Sequence, residues 1–237
     1  MKELLKNFIN MLKQLTRRPR FVINGDGFDD YWISKRGDEL GVLNEFQLKR
    51  LEFVKSTIPA GSKVLDFGCG DGAILAGLGV EKYELFGADL SDLALARVEQ
   101  QGITPVKFNL ETSDISELPS CDYIMLLEVL EHVSRPEDVL MACIDHADKG
   151  VIFSIPNTGH MSHRLRLLFG KFPLQWRVHP GEHLRYWTLS DLKWWLKCLN
   201  ISEITNVNVY MGSLRKLYPS LFGRGLICHI DKSKKMA

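Results

Sequence analysis

Long hydrophobic runs are missing from this chain: no stretch approaches the roughly 20 apolar residues that a membrane-spanning helix needs. It also lacks an opening apolar core followed by a small-residue cleavage site, so export is not expected. A surplus of one charge is absent too. Thirty basic against 29 acidic side chains leave +1, which supports no global field for nucleic acid, and any basic surface must be local. Paired cysteines are lacking. Cys69, Cys121, Cys143, Cys198 and Cys228 are odd in number and hold no CxxC, which argues against a disulfide framework or a cysteine zinc site. Reduced thiols in a cytoplasmic protein are the expectation.

What is present centres on Lys63 to Gly72, KVLDFGCGDG. The apolar Val64, Leu65 and Phe67 read as a buried strand, and Gly68, Gly70 and Gly72 as a tight turn against which a ligand can lie, before a helix N-terminus. Asp66 argues against a dinucleotide. A carboxylate there would repel a pyrophosphate and pair with an ammonium, so the ligand should carry a cation.

At 237 residues, one large core with decoration is expected. Residues 1–20 set Leu4, Leu5, Phe8, Ile9, Leu12 and Leu15 at helical spacing among six cations, a basic amphipathic helix ended by Pro19. It would pack on the domain or on a second subunit of a homo-oligomer, or lie on the inner membrane face as a peripheral anchor. Residues 24–42 are turn-rich yet carry Phe28, Tyr31 and Trp32, which would line a lid or plug a groove. A helix is expected over 44–56.

After the glycines, strands are expected at 84–88, 104–108, 122–127 and 151–155, alternating with helices at 73–78, from Ser91 or Asp92 to 98, and from Pro136 to 147. Asp89, about 20 residues past the glycine turn, stands where nucleotide sites offer an acid to ribose hydroxyls. Asn109-Leu110-Glu111 would meet the mouth of the same crevice. The insertion carries a basic helix at 163–169; a capped helix at 190–199 and strands at 204–211 and 226–230 follow. The fold class is therefore α/β: a Rossmann-like, doubly wound, seven-stranded, mostly parallel sheet with a C-terminal antiparallel strand and helices on both faces. Residues 1–60 form a leader, and 61–237 the domain, with a substrate-side insertion at about 157–190.

Four blocks, VLDFGCGDG, GADLS, FNLE and DYIMLLEVLEHV, together resemble the class I S-adenosylmethionine (SAM) dependent methyltransferases. Farther on, SIPNTGHMSHRLRLLFGKFP and EHLRYWTLSDLKWWLKCLNI resemble the MetW-like proteins and, more loosely, ubiquinone-type and sugar or polysaccharide O-methyltransferases. The likeness covers about 61–212. Residues 1–60 depart from the compact MetW-like pattern, while FDDYWISKRG is similar to leaders of methyltransferases in surface-polysaccharide pathways. The resemblance implies SAM as cofactor. It places Asp66, Gly68, Cys69 and Gly70 around the methionine part, Asp89 and Leu90 at the ribose, and Asn109 and Leu110 beside adenine. Glu128, Val129 and His132 would edge the space next to the departing methyl.

A hydroxyl acceptor must lose a proton, which suits a histidine. His183 ranks first as the base because EHLRYWT lies in the insertion; His160 is second, and His132 either third or structural, with Tyr186 as a hydrogen-bonding partner. His160, His163, His179 and His183 have metal-like spacing without a carboxylate pattern, so no metal is expected. Arg164, Arg166, Lys171, Arg177 and Arg185 would suit an anionic acceptor, small molecule or glycan. The rival to an enzyme is a MetW-like SAM-binding partner of a homoserine acyltransferase.

Overall fold

Parallel strands covered on both faces need nearly continuous apolar sequence, and the central strands have it. Strand β1 (Lys63–Phe67, KVLDF) is buried at all but its first position and β4 (Tyr123–Leu127, YIMLL) throughout. The computed structural model describes residues 42–175 and 183–234, together with Ile9 and Arg18. The expected helix at 1–20 (those two residues apart), the leader at 24–41, Trp176, Arg177 and His179 lie outside the described residues.

The remaining strands are β2 (Glu84–Asp89), β3 (Thr104–Lys107), β5 (Gly150–Pro156), β6 (Thr205–Tyr210) and β7 (Gly225–Asp231). They form a seven-stranded sheet in the order β3-β2-β1-β4-β5-β7-β6. Neighbours are parallel except where β7 runs antiparallel to both β5 and β6. This is the doubly wound, Rossmann-like arrangement expected from the sequence. β1 lies between β2 and β4, so the connections reverse direction there and a crevice opens beyond the carboxyl ends of β1 and β4.

Side chains alternate between two apolar layers. From β4, Ile124 and Leu126 enter one layer, and Tyr123, Met125 and Leu127 the other. The first layer takes Leu140, Cys143 and Ile144 of helix α4 (Pro136–His146) and Leu192 and Leu196 of α6 (Leu189–Cys198). In the second, Leu51 and Val54 of α1 (Glu45–Thr57) pack with Ile74, Leu75 and Leu78 of α2 (Ala73–Leu78) and Val98 of α3 (Asp92–Gln100). Thus α1, read from the sequence as part of the leader, contributes to the domain's own core.

Local signals explain the helix starts. Asn44 and Gln47 form a reciprocal capping box at α1, Thr188 and Asp191 another at α6, and Ser91 caps α3. Pro136 opens α4 at its first turn. The insertion forms α5 (Met161–Leu168), two residues earlier than its basic run predicts, because His160 acts as the cap. No described helix is long and apolar enough to cross a membrane.

Asn157, buried just past β5, ties distant segments together. Its side-chain amide donates to the carbonyls of Ser220 (3.1 Å) and Gly223 (2.8 Å), and its Oδ1 accepts from the Gly159 N–H (3.0 Å). Removing these bonds leaves buried backbone groups unpaired. Asn157→Ala is therefore expected to lower stability by about 2 kcal/mol in urea denaturation, and a loss below about 0.5 kcal/mol would contradict the role.

Candidate active site

The site starts where β1 ends. Asp66 is 3% exposed, and its Oδ1 is buried with no hydrogen-bond partner. Burial raises its carboxyl pKa, Arg50 opposes that, and Asp89 adds to it, leaving it at about 8. The turn after it needs left-handed backbone, with φ of 62° at Gly68 and 58° at Gly70. A Cβ on Gly68 would sit 3.0 Å from Val129 Cγ2, so the loop is pressed against the exit of β4.

Asp89, at the end of β2, fastens this loop: its Oδ2 accepts from the Gly70 N–H (3.0 Å) and its Oδ1 from the Ser91 N–H (2.9 Å). Leu90 follows at the rim, half-buried. The Cys69 thiol turns toward β2, since a Cβ on Gly87 would meet its Sγ at 3.0 Å. Its pKa is pushed well up by burial and by Asp66, so the side chain is a thiol rather than a thiolate. Asn109 folds the exit of β3 through an Asx turn, its Oδ1 accepting from the Glu111 N–H (3.0 Å), while Leu110 packs partly on the core.

Glu128 follows β4 with φ 60°, a conformation that costs a non-glycine residue on the order of 1–3 kcal/mol and gathers at functional sites. Its Oε1 accepts from Ser154 Oγ (2.9 Å) and the Tyr210 hydroxyl (3.3 Å).

The sequence did not point to Arg50. It lies on α1 one turn past Phe46 and one before Val54, and both of those enter the second core layer. Burial works against its charge, but Glu128, Tyr210, Glu131 and Asp66 outweigh it and hold its pKa above the ordinary value. Its Nε is buried without a hydrogen-bond partner. A cation in an apolar helical stripe was the available signal. An unsatisfied buried acceptor on Asp66 and an unsatisfied buried donor on Arg50 are what the ammonium and carboxylate of a free amino-acid group would satisfy.

Beyond Val129 a 3-10 turn, Leu130–His132, gathers the acid–base candidates. The Glu131 carbonyl accepts from Leu184 N (2.8 Å) and Arg185 N (3.1 Å), and Arg185 also donates to the Ser134 carbonyl. This places the His183 ring against His132, with centroids 4.7 Å apart, and Tyr186 6.2 Å from His183. Ligand atoms of Glu131, His132 and His183 lie within 4.8 Å of one another, a set able to hold a divalent metal. The expectation of no metal rested on His160, His163, His179 and His183 lacking a carboxylate pattern; of those four the fold brings His183 beside Glu131, together with His132, which that set did not include.

His160 is placed otherwise. Its Nδ1 accepts from Ser162 N (3.2 Å) as the cap of α5, and it pairs with His163 at 6.2 Å. Burial brings both imidazoles down to about 4. Among the expected cations, Arg164 donates to the Gly159 carbonyl (2.7 Å) and Arg166 to that of Phe172 (2.8 Å), so their donors hold the insertion itself.

The crevice of the reversed-order sheet thus opens beside a glycine turn, an acid at the end of β2, and a buried acid and a buried base, Asp66 and Arg50. The sequence matches the methyltransferase domain family over residues 43–201. It is 28% identical over 191 residues to a ubiquinone biosynthesis O-methyltransferase of Dechloromonas aromatica (76% of this chain, 82% of that protein). A protein of the same description from Azoarcus is 31% identical over 209 residues (76% and 89%). The fold is shared with a SAM-dependent methyltransferase from Archaeoglobus fulgidus, TM-score 0.59 at 18% identity, covering 86% of this chain and all of that one. This chain belongs to the class I SAM-dependent methyltransferases, and its cofactor is SAM.

Arg50→Met and Asp66→Asn are each expected to weaken SAM binding about tenfold or more in calorimetry, because each removes a charged partner. Unchanged affinity would remove these residues from the site. Because Asp66 titrates at about 8 in the fold against about 3.9 unfolded, the folded state holds the extra proton between those values. Stability of the free protein should fall as pH rises through that window, less steeply in Asp66→Asn. Affinity for SAM should instead rise with pH toward 8, with proton release visible as a buffer-dependent binding enthalpy.

Proposed function

We propose that this enzyme transfers the methyl group of SAM to a hydroxyl of a small-molecule acceptor held against His132, His183 and Tyr186. The observation that carries the reading is the packing of Glu131, His132 and His183 into one group, one turn beyond the Val129 that presses on Gly68. The relatives named for O-methylation in ubiquinone biosynthesis support a hydroxyl as the reacting group.

Bound SAM supplies an electrophilic methyl on a sulfonium, and transfer is an in-line displacement. The chain's own residues align and deprotonate. Asp66 receives the ammonium and Arg50 the carboxylate, while Asp89 keeps the loop closed and stands at the ribose hydroxyls. Asn109 and Leu110 flank the base.

Near neutral pH, His160 and His163 are weak proton acceptors because both sit at about 4. The proton therefore passes to the His132–His183 pair. Burial raises the Tyr186 phenol, so Tyr186 stays protonated and serves as a donor. The same Glu131–His132–His183 set could lower the hydroxyl's pKa by holding a divalent ion.

A donor-consumption screen over hydroxylated small molecules, nucleotide sugars and glycan termini tests the acceptor class, and turnover confined to glycans would overturn it. His183→Ala should lower kcat by about 100-fold or more while leaving SAM affinity within about twofold. Unchanged kcat would sink the assignment. Chelator treatment separates the two routes: loss of turnover restored by Mg²⁺, Mn²⁺ or Zn²⁺ assigns a metal to the triad, and undiminished turnover assigns a histidine base.

A further inference from the structure

Two surface tips rise from one edge of the sheet. Strand register puts Pro156 of β5, Tyr210 of β6 and Gly225 of β7 level, so the insertion after β5 and the β6–β7 connection leave the sheet together at its cofactor edge. Asn157 clamps the two, through the Ser220 and Gly223 carbonyls. At the first tip, the end of α5 and the turn at Gly170 (φ 67°), Leu167, Leu168 (76% exposed) and Phe169 (64%) face solvent. At the second, Leu217 (80%) and Tyr218 (52%) do.

Exposed leucines and aromatics in this number need an explanation. The flanking charge supplies one. Neither 157–175 nor 211–224 contains a single Asp or Glu, in a chain that elsewhere carries 29, while Arg164, Lys171, Arg215 and Lys216 stand beside the apolar residues. Apolar tips rimmed by cations and stripped of acids match the interface of an anionic bilayer, into which such side chains insert while the cations meet headgroups.

We infer that the edge bearing Leu167–Phe169 and Leu217–Tyr218 docks on an anionic lipid surface and turns the acceptor side of the site toward it. A line of rings joins tip to site: Phe172 lies 5.5 Å from Tyr186, Tyr186 6.2 Å from His183, and His183 4.7 Å from His132. The inference rests on the proposed methyl transfer only in its last step, that a lipid-dissolved acceptor enters along this line.

Flotation of the full chain with phosphatidylcholine vesicles, with and without phosphatidylglycerol, tests it. The protein should float with the anionic vesicles and be released by salt. Combining Leu168→Gln, Phe169→Gln, Leu217→Gln and Tyr218→Gln should lower partitioning about tenfold or more, and Lys216→Glu should lower it several-fold, with SAM affinity unchanged by calorimetry. Three results would overturn the inference: no flotation, a quadruple variant that floats like the parent, or a concentration-dependent dimer that the variant abolishes and that names a second copy as the occupant. Methyl transfer without vesicle binding removes this inference alone. Vesicle binding without transfer to any acceptor removes only the proposed function.

Discussion

Everything at the donor site depends on a carboxylate kept out of water. Asp66 lies inside the sheet at the point where strand order reverses, and burial alone would neutralise it. Arg50 opposes that neutralisation from α1, and Glu128 and Glu131 hold the guanidinium charged in turn. The glycine turn then rests on Asp89, and the exit of β4 rests on the turn through Val129. In the proposed reading, the ammonium and carboxylate of SAM meet the buried Asp66 acceptor and the buried Arg50 donor.

The acceptor side is organised by backbone rather than by charge. The Glu131 carbonyl takes the N–H groups of Leu184 and Arg185, so the neighbouring His183, remote in sequence, is delivered to a turn of the central sheet. Strain at Glu128 is tolerated in the same place, where its carboxylate meets Ser154 and Tyr210. In the proposed reading, the donor and acceptor halves therefore share the single segment 128–132. Positioning errors in that segment would reach both, which fits a reaction whose main demand is alignment.

Much of the fold was legible. β1 and β4 read as strands because two-sided burial demands unbroken apolar sequence, and Asn44, Ser91, Pro136 and Thr188 mark helix starts through local chemistry. The glycines with Asp66 pointed to a ligand bearing a cation for the same local reason. Arg50 was not legible, since a lone arginine in a helix is ordinary until its neighbours are known. His160 was ranked as a base from its position after β5, whereas its Nδ1 caps α5 and burial holds it near 4. A cap and a catalytic group have the same residue type in the same loop.

By itself, then, the sequence determined the elements, the class of sheet and the glycine turn after β1, because each of these follows from periodicity, capping and backbone freedom over a few neighbouring residues. Only the tertiary structure decided that β7 inserts between β5 and β6, that Arg50 is buried within the field of Glu128, Glu131 and Asp66, and that Glu131, His132 and His183 form one group. Those are contacts between segments tens of residues apart, and their energies come from burial and charge proximity, which no local pattern records.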